Sequence, residues 1–281
     1  MLPEFASVIP ESRERALTCL SSLENARILA GGTDLLVQMR RGESFSNIID
    51  VSAIADLKGI SEQSGNIIIG STTTHRAISI DPLIRTQACS LALACGWVGS
   101  PAIRNMGTIG GNLVNASPAA DSLAPLLIHD ARMVLESNDG IKRMELEYFI
   151  LGPYKTAINA RELLTVIEIK GLTGYREGYK RVTKRARWAI SRLSIAWAIH
   201  EEDGVYKDVK LAIGSCTPMP FRPKSIEESL KGRVKSDATI KDATEEILEE
   251  IKRISGMRTS FVYKMPVVRD LLSEILRGDR E

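Results

Sequence analysis

The chain has 281 residues, 44% of them hydrophobic, which is enough for one large or two medium domains with an ordinary core. Its formal net charge of +2 argues against a bulk polyanion such as nucleic acid as its partner. No apolar run approaches the roughly 20 residues of a membrane span, and the first residues lack the basic segment and apolar core of a signal peptide. We therefore expect a cytoplasmic protein without a membrane span.

The cysteines and histidines do not form a metal-binding pattern. None of the four cysteines makes a CxxC pair, and the three histidines are scattered along the chain. We therefore expect reduced, mostly buried thiols and no metal site. The residues concerned are Cys19, Cys89, Cys95, Cys216, His75, His129 and His200.

Residues 1–51 are predicted to form a small α/β unit. Its predicted elements are helices over 11–20 and 35–40 and strands over 28–30 and 48–51. The pair Gly31-Gly32 stands between the first strand and the second helix, an arrangement in which backbone N–H groups meet a phosphate. The segment matches neither GxGxxG nor GxxxxGK[ST].

Residues 52–172 are predicted to form a second unit that contains a glycine-rich stretch. Its predicted elements are strands over 66–70, 131–136, 141–146 and 163–169 and helices over 87–97 and 122–129. Residues 107–117 carry three glycines, two hydroxyl residues and two asparagines, and we expect them to form a loop. This loop is either a surface turn or part of a ligand-binding site. In the second case, it and Gly31-Gly32 would bind opposite sides of one long, doubly phosphorylated ligand, and the loop would form the second wall of the site.

Residues 173–178 are the best linker candidate, and an α+β domain is predicted to follow them. Its predicted elements are strands over 179–183, 193–201 and 205–213 and helices over 225–231, 238–254 and 267–277. Asp203-Gly204, between the second and third strands, is a strong signal for a β-hairpin turn.

Three sequence runs together resemble a known family. They are AGGTDLL at 30–36, IGSTTTH at 69–75 and TIGGNLVNASPAADSLAPLL at 108–127. In this order they resemble the FAD-binding (medium) subunit of the xanthine dehydrogenase and carbon monoxide dehydrogenase family of molybdenum hydroxylases. The likeness continues through 181–186 and Ile190-Ser191. It implies an α+β fold, with a PCMH-type FAD-binding domain over 1–172, made of α/β subdomains at about 1–51 and 52–172. A C-terminal antiparallel sheet-plus-helices domain over 179–281 would follow.

The resemblance also implies a place in a larger enzyme. A large subunit would hold the molybdenum–pterin cofactor, and a small subunit would hold two [2Fe–2S] clusters. This subunit would pass electrons from those clusters through FAD to a final acceptor such as NAD, oxygen, quinone or ferredoxin. The assembly would be a heterotrimer or a dimer of heterotrimers, and the organic substrate would be chosen by the large subunit.

The expected flavin contacts fall in two segments, the first of which is where the resemblance places the family's pyrophosphate loop, and at two single positions. The pyrophosphate loop corresponds to Ile28, Leu29, Ala30, Gly31, Gly32, Thr33, Asp34 and Leu35. The second wall corresponds to Thr108, Gly110, Gly111, Asn112, Asn115 and Asp121. The single positions are Leu164, which is equally well explained as a core residue, and Arg181.

Three of these residues raise particular expectations. Asp34 is expected either to cap a helix or to support the residues that contact the ligand from behind, because a carboxylate facing a phosphate would repel it. Asp121 is expected to accept hydrogen bonds from two vicinal hydroxyls of a sugar or ribityl chain. Arg181 departs from the lysine common in the family: it keeps the charge but does not readily lose a proton. Ser117 is a weaker candidate, either a turn cap or a contact.

A basic run extends through the start of the C-terminal part, and it has two readings. It is either a solvated strand face or a surface that attracts anionic cofactors or an acidic partner. Its members are Arg176, Lys180, Arg181, Lys184, Arg185, Arg187 and Arg192, with Trp188 as its only interleaved stacking aromatic residue. Trp188 is expected near the flavin, at an interface or in the core.

Two alternatives compete with the electron-transfer subunit. One is a self-contained PCMH-type flavin oxidase, for which no acid–base residue stands out. The other is a nucleotide-binding scaffold that has lost flavin, which the intact glycine segments argue against. His75 resembles a covalent flavin attachment site, but related oxidases often place that histidine directly after the glycine pair. Thr33 stands there in this chain, so we expect non-covalent FAD.

Overall fold

Three β-sheets of three to five strands follow one another along the chain, each with helices of its own. The computed structural model describes residues 3–185, 189–256 and 258–278. The predicted α+β class is confirmed: a small parallel sheet and a five-stranded antiparallel sheet, each with helices, precede a three-stranded antiparallel sheet with helices. The second unit is therefore not of the predicted α/β type. No helix within these ranges is long and apolar enough to cross a membrane.

The first unit is a small parallel sheet. Its elements are β1 (Ala6–Val8), α1 (Arg13–Ser22), β2 (Ala26–Leu29), α2 (Leu35–Arg40) and β3 (Asn47–Asp50), and the strand order is β1-β3-β2. Parallel neighbours need a crossover, which α1 and α2 supply. The side chain of Ser12 accepts a hydrogen bond from the N–H of Arg15 and so fixes the start of α1 two residues after the predicted one.

The second unit is a five-stranded antiparallel sheet with helices. Its first elements are β4 (Ile60–Gln63), β5 (Asn66–Gly70), α3 (His75–Ile80), α4 (Pro82–Gln87), α5 (Cys89–Trp97), α6 (Pro101–Met106), α7 (Ile109–Asn115) and α8 (Leu123–Ile128). The rest are β6 (Arg132–Ser137), β7 (Gly140–Glu145), α9 (Leu146–Phe149), β8 (Ile150–Gly152), β9 (Lys155–Thr156) and β10 (Leu163–Lys170). The strand order is β4-β5-β10-β6-β7, and β8 pairs with β9 alone.

Strand β10 connects the first two units. It lies at the centre of the five-stranded sheet, and its Leu163 also packs in the core that contains Ile49 of β3. The helix predicted over 87–97 is confirmed as α5, but its predicted start is wrong by two residues because Ala88, with φ −148° and ψ 51°, separates α5 from α4.

The prediction of a loop over 107–117 is also wrong. Helix α7 occupies most of it, since the side chain of Thr108 accepts a hydrogen bond from the N–H of Gly111 and caps the helix. Gly110 and Gly111 therefore lie within a helix, and neither has a positive φ. Glycine permits a turn, but a cap at the right position makes the same residues helical.

The C-terminal part begins inside the predicted linker, because β11 starts at Arg176. Its elements are β11 (Arg176–Thr183), β12 (Ser191–Glu202), β13 (Val205–Gly214), α10 (Lys224–Leu230), α11 (Asp237–Ser255) and α12 (Phe261–Arg277). Asp203 and Gly204 have φ values of 50° and 72°, as a type I′ turn requires, so the predicted hairpin is confirmed. Helix α12 starts before Pro266, because Phe261 and Met265 of its first turns are buried in the core over the sheet.

Candidate functional site

A cavity of about 430 Å³ lies between the first unit and the helices of the second. Both glycine-containing segments line it, so the structure brings together residues that are about eighty positions apart in the sequence. The predicted site residues in its wall are Ile28, Ala30, Gly31, Gly32, Thr33, Asp34, Leu35, Thr108, Gly110, Gly111, Asn112, Asn115 and Leu164. Leu29, Asp121 and Arg181 do not line it.

The first wall is the loop that leads from β2 to α2. None of the backbone N–H groups of residues 31–35 donates to an acceptor in the described part of the chain. Consecutive free N–H groups that line a cavity form a site for an anion. Asp34 stands at the start of α2, but its side chain makes no capping hydrogen bond. The capping role is therefore wrong, and the supporting role behind the ligand contacts stays a prediction. Burial raises the pKa of its carboxyl group above the usual value.

Gly31 allows the two walls to meet. A Cβ atom at this position would lie 1.9 Å from the carbonyl oxygen of Met106, so only glycine permits this contact between backbones. Gly32 has φ 68°, in the left-handed region that glycine adopts without strain. The glycine pair thus serves two needs: close packing against the end of α6 and the turn that leads into α2.

The second wall is the first turn of α7. The N–H of Gly110 donates to the carbonyl oxygen of Ser71 at 2.9 Å, and a Cβ on Gly110 would lie 2.7 Å from that oxygen. Gly111 differs, since a Cβ there would meet only the Thr108 hydroxyl, at 3.0 Å. The absence of a side chain at Gly110 thus serves packing within the protein, whereas at Gly111 it leaves space on the cavity side.

Two asparagines of the second wall already have protein partners. The Oδ1 atom of Asn112 accepts from the Ser122 hydroxyl at 2.5 Å. The Oδ1 atom of Asn115 accepts from the Gln38 amide at 3.2 Å, which joins α7 to α2. No described residue accepts a hydrogen bond from their amide NH₂ groups, which remain available as donors at the cavity wall.

Asp121 lies outside the cavity wall, and both of its carboxylate oxygens have partners. Oδ1 accepts from the Tyr179 hydroxyl at 2.6 Å and from the Ser191 hydroxyl at 2.5 Å, and Oδ2 accepts from Arg181 Nη1 at 2.9 Å. Burial and the Asp121 charge raise the pKa of Tyr179 well above its usual value, so the phenol stays protonated and donates. The predicted contact of Asp121 with sugar hydroxyls stays a prediction, to which these bonds lend no support.

The basic run is in part neutralised within the chain. Arg176 donates to the carbonyl oxygen of Ile275, and Lys180 pairs with Glu274 at 2.6 Å, both on α12. These residues and Arg181 therefore do not form a solvated face. Arg187 and Trp188 lie outside the described residues.

The structure adds cavity residues that the sequence gave no reason to select. Val98 and Ile103 line it from the region of α5 and α6, and residues 158–160 line it from the segment after β9. These are ordinary apolar and loop residues, so only the packing of distant segments reveals them. His75 also lines the cavity, although the sequence suggested it only as a covalent attachment site.

The cysteines and acidic residues do not gather at one point. Cys19, Cys95 and Cys216 are buried, and Cys89 is partly buried. Within the described ranges, no group of three or more His, Cys, Asp or Glu side chains is arranged to hold a metal ion. The cavity wall therefore combines backbone N–H groups, amides, hydroxyls and apolar side chains with the ionisable side chains of Arg27, Asp34, Glu43, His75 and Glu162.

Comparisons with known proteins agree with this description. The family model described as "FAD binding domain in molybdopterin dehydrogenase" matches residues 3–169, and the model described as "CO dehydrogenase flavoprotein C-terminal domain" matches residues 178–278. The glyceraldehyde dehydrogenase medium chain of Sulfolobus acidocaldarius is 33% identical over 271 residues, which cover 96% of each chain. The nicotinate dehydrogenase FAD-subunit of Eubacterium barkeri is 31% identical, covering 98% of this chain and 95% of that one.

The fold has close counterparts among solved structures. A chain of the carbon monoxide dehydrogenase from Hydrogenophaga pseudoflava matches with a TM-score of 0.88 and 24% identity, covering 99% of this chain and 96% of that one. This likeness concerns the fold, whereas the sequence matches extend to the family. The family inferred from the three motifs is thus confirmed: this chain belongs to the FAD-binding (medium) subunits of the molybdenum hydroxylases.

Proposed function

We propose that the cavity between the two glycine segments holds FAD without a covalent link and that the chain serves there as an electron-transfer subunit. The observation that carries this proposal is that residues 31–35 line the same cavity as α7 while none of their backbone N–H groups has an acceptor in the described part of the chain. A diphosphate carries the negative charge that such a row binds. Bound FAD supplies both one- and two-electron chemistry.

The chemical types of the residues that line the cavity suit the parts of this cofactor. Gly111 leaves the cavity side of α7 without a side chain, which allows a ligand to approach the backbone. The Asn112 and Asn115 amides line the cavity as hydrogen-bond donors for hydroxyl or carbonyl oxygens. Val98, Ile103 and Leu164 supply apolar surface suited to a flat ring system.

We further propose that this chain works with partner subunits. The relatives are named as a medium chain and a FAD-subunit, which describes parts of larger enzymes. A large subunit with the molybdenum cofactor and a small subunit with two [2Fe–2S] clusters would supply the electrons, in a heterotrimer or a dimer of heterotrimers. The final acceptor would be NAD, oxygen, quinone or ferredoxin. The cytoplasmic location stays a prediction.

An anaerobic reduction experiment tests this function. The purified full chain is loaded with FAD and mixed with aldehydes, purines and N-heterocycles, and the visible flavin absorption is followed. We expect no bleaching by these substrates but full bleaching by a chemical reductant. Addition of the molybdenum and iron–sulfur subunits should then make bleaching dependent on one substrate class.

Three outcomes separate the possibilities. Rapid bleaching by an organic substrate with the chain alone would favour the self-contained oxidase. A parent chain that binds no FAD would overturn the proposal and favour the scaffold. Reoxidation of the reduced chain by each acceptor in turn identifies the acceptor.

A further inference from the structure

His75 lies in the wall of the cavity, at the start of α3. His75 is only 2% exposed to solvent, and its backbone N–H donates to the carbonyl oxygen of Gly107 at 3.0 Å. A Cβ on Gly107 would lie 3.4 Å from Cδ2 of the His75 ring and 3.3 Å from the Thr33 hydroxyl oxygen. The imidazole therefore stands beside the loop whose N–H groups are free.

The ring nitrogens of His75 have no partners in the described part of the chain. Nδ1 is enclosed without a hydrogen bond, and no described residue bonds to Nε2. The other buried histidine, His129, differs: its Nδ1 lies 2.7 Å from the carbonyl oxygen of Lys170 and its Nε2 lies 2.8 Å from Glu177 Oε1. A buried polar group without a partner is costly and rare. The unpaired ring of His75 therefore needs an explanation that His129 does not.

The protonation state of His75 follows from its surroundings. Burial lowers the pKa of His75 to about 4, so the ring is neutral at pH 7 and carries one N–H. Buried N–H groups without an acceptor are rarer than unpaired acceptors. The proton therefore belongs on Nε2 rather than on the enclosed Nδ1, which makes Nε2 a hydrogen-bond donor.

We propose that His75 is a ligand of the flavin nucleotide and that its neutral Nε2–H donates to an oxygen of the diphosphate, beside the N–H groups of residues 31–35. This inference rests on the proposed function. It explains why an imidazole with no partner among the described residues lines this cavity, and it gives His75 a non-covalent role. The Thr33 hydroxyl borders the same place, because it and the His75 ring both lie near the position that a Cβ on Gly107 would occupy.

Two variants of the full chain test the role of the ring. His75→Phe keeps a planar ring and removes both nitrogens, and His75→Gln keeps a side-chain N–H donor. We expect the FAD dissociation constant of His75→Phe to rise about tenfold or more, as for a lost hydrogen bond to a charged acceptor. His75→Gln should recover part of this loss. Flavin fluorescence titration of the apoprotein measures both.

The stability of the apoprotein distinguishes a ligand from a structural residue. Because the ring nitrogens make no bond within the described protein, His75→Phe should leave the thermal unfolding midpoint unchanged or raise it. A variant with a lowered midpoint and an unchanged FAD dissociation constant would show a packing role and overturn the proposal. If both properties worsen, recovery of FAD affinity in His75→Gln supports the proposal, and no recovery overturns it.

ADP identifies the part of the nucleotide that His75 contacts. ADP contains a diphosphate but no flavin, so His75→Phe should weaken ADP and FAD by a similar factor. Weakening of FAD alone would place the contact on the flavin or ribityl part and overturn the diphosphate assignment. His200→Phe is the matched control, since His200 lies on β12 outside the cavity wall. Failure of the parent chain to bind FAD would instead overturn the proposed function.

Discussion

Arg181 of β11 and Asp121, which precedes α8, form a buried ion pair between the C-terminal part and the second unit. Arg181 Nη1 lies 2.9 Å from Asp121 Oδ2, and the two side chains are 7% and 8% exposed. The guanidinium also lies over the ring of Trp97, 5.1 Å from its centroid. Arginine at this position therefore acts as a stacked ion-pair partner within the protein, a role for which its planar, permanently charged group is suited.

We expect Asp121→Ala to lower the free energy of unfolding by about 3 kcal/mol, because removal of one partner leaves a buried charge unpaired. The same change removes the acceptor of the hydrogen bonds that the Tyr179 and Ser191 hydroxyls donate. Urea unfolding of the parent and the variant measures the difference. The double variant with Arg181→Met should lose less than the sum of the two single losses. If Asp121→Ala instead kept the stability of the parent and bound FAD about tenfold more weakly, the Asp121 carboxylate would be a contact of the cofactor.

Gly111→Val should greatly reduce flavin binding and leave the protein folded. The new side chain would occupy the cavity side of α7, where within the protein it meets only the Thr108 hydroxyl. Circular dichroism and bound flavin per chain are the measurements. Gly110→Ala is the matched control, since its Cβ would lie 2.7 Å from Ser71 and should cost about 2 kcal/mol of stability by overpacking. Full flavin occupancy in Gly111→Val would show that α7 does not approach the cofactor.

Flavin should be released when the loaded chain is precipitated with acid. Thr33 stands directly after the glycine pair, so that position has no imidazole to form a covalent link. The yellow colour should appear in the supernatant, and the visible absorbance of the supernatant measures it. A pellet that stays yellow through proteolysis would contradict this, and loss of that colour in His75→Phe would place the link on His75.

Asp130 should stabilise the junction of the second unit with the C-terminal part in a pH-dependent way. Burial opposes its charge, but the hydrogen bond from Lys210 and the charges of Arg222 and Lys170 hold the pKa of Asp130 at about 2, against an ordinary 3.8. Because the pKa of Asp130 is lower in the folded state than in the unfolded state, its charge stabilises the fold at pH values above the unfolded-state pKa. This stabilisation is lost as the pH falls through the folded-state pKa. Asp130→Asn should therefore cost about 1 kcal/mol at pH 7, discounted for partial exposure.

Urea unfolding at several pH values measures this effect. The difference between the parent and Asp130→Asn should be constant from pH 7 to about 4 and should shrink below that value. Asparagine tolerates the φ of 49° at this position, so backbone strain should not add to the result. Glu202→Gln is the control, because the Glu202 side chain is 58% exposed and its ion pairs should contribute little. A difference independent of pH would show that the charge of Asp130 does not matter.

The sequence predicts best where the local pattern is long or unambiguous. The 3.6-residue periodicity of α11 places it to within one residue at each end. Asp203-Gly204 fixes the β12–β13 hairpin, because few other residue pairs adopt two successive positive φ angles. The glycine-rich stretch shows the limit of local rules, since its composition favoured a loop while the Thr108 cap and the contact with Ser71 made it a helix.

By itself, the sequence determined the family, the α+β class and the two glycine segments, because each depends on residues that are neighbours in the chain. The tertiary structure alone decided that Asp121 faces Arg181, Tyr179 and Ser191 and that the ring of His75, in the cavity wall, has no hydrogen-bond partner among the described residues. The physical reason is that a buried polar group is defined by what surrounds it. Its partners come from strands and helices that are tens of residues away, and only packing places them within hydrogen-bonding distance.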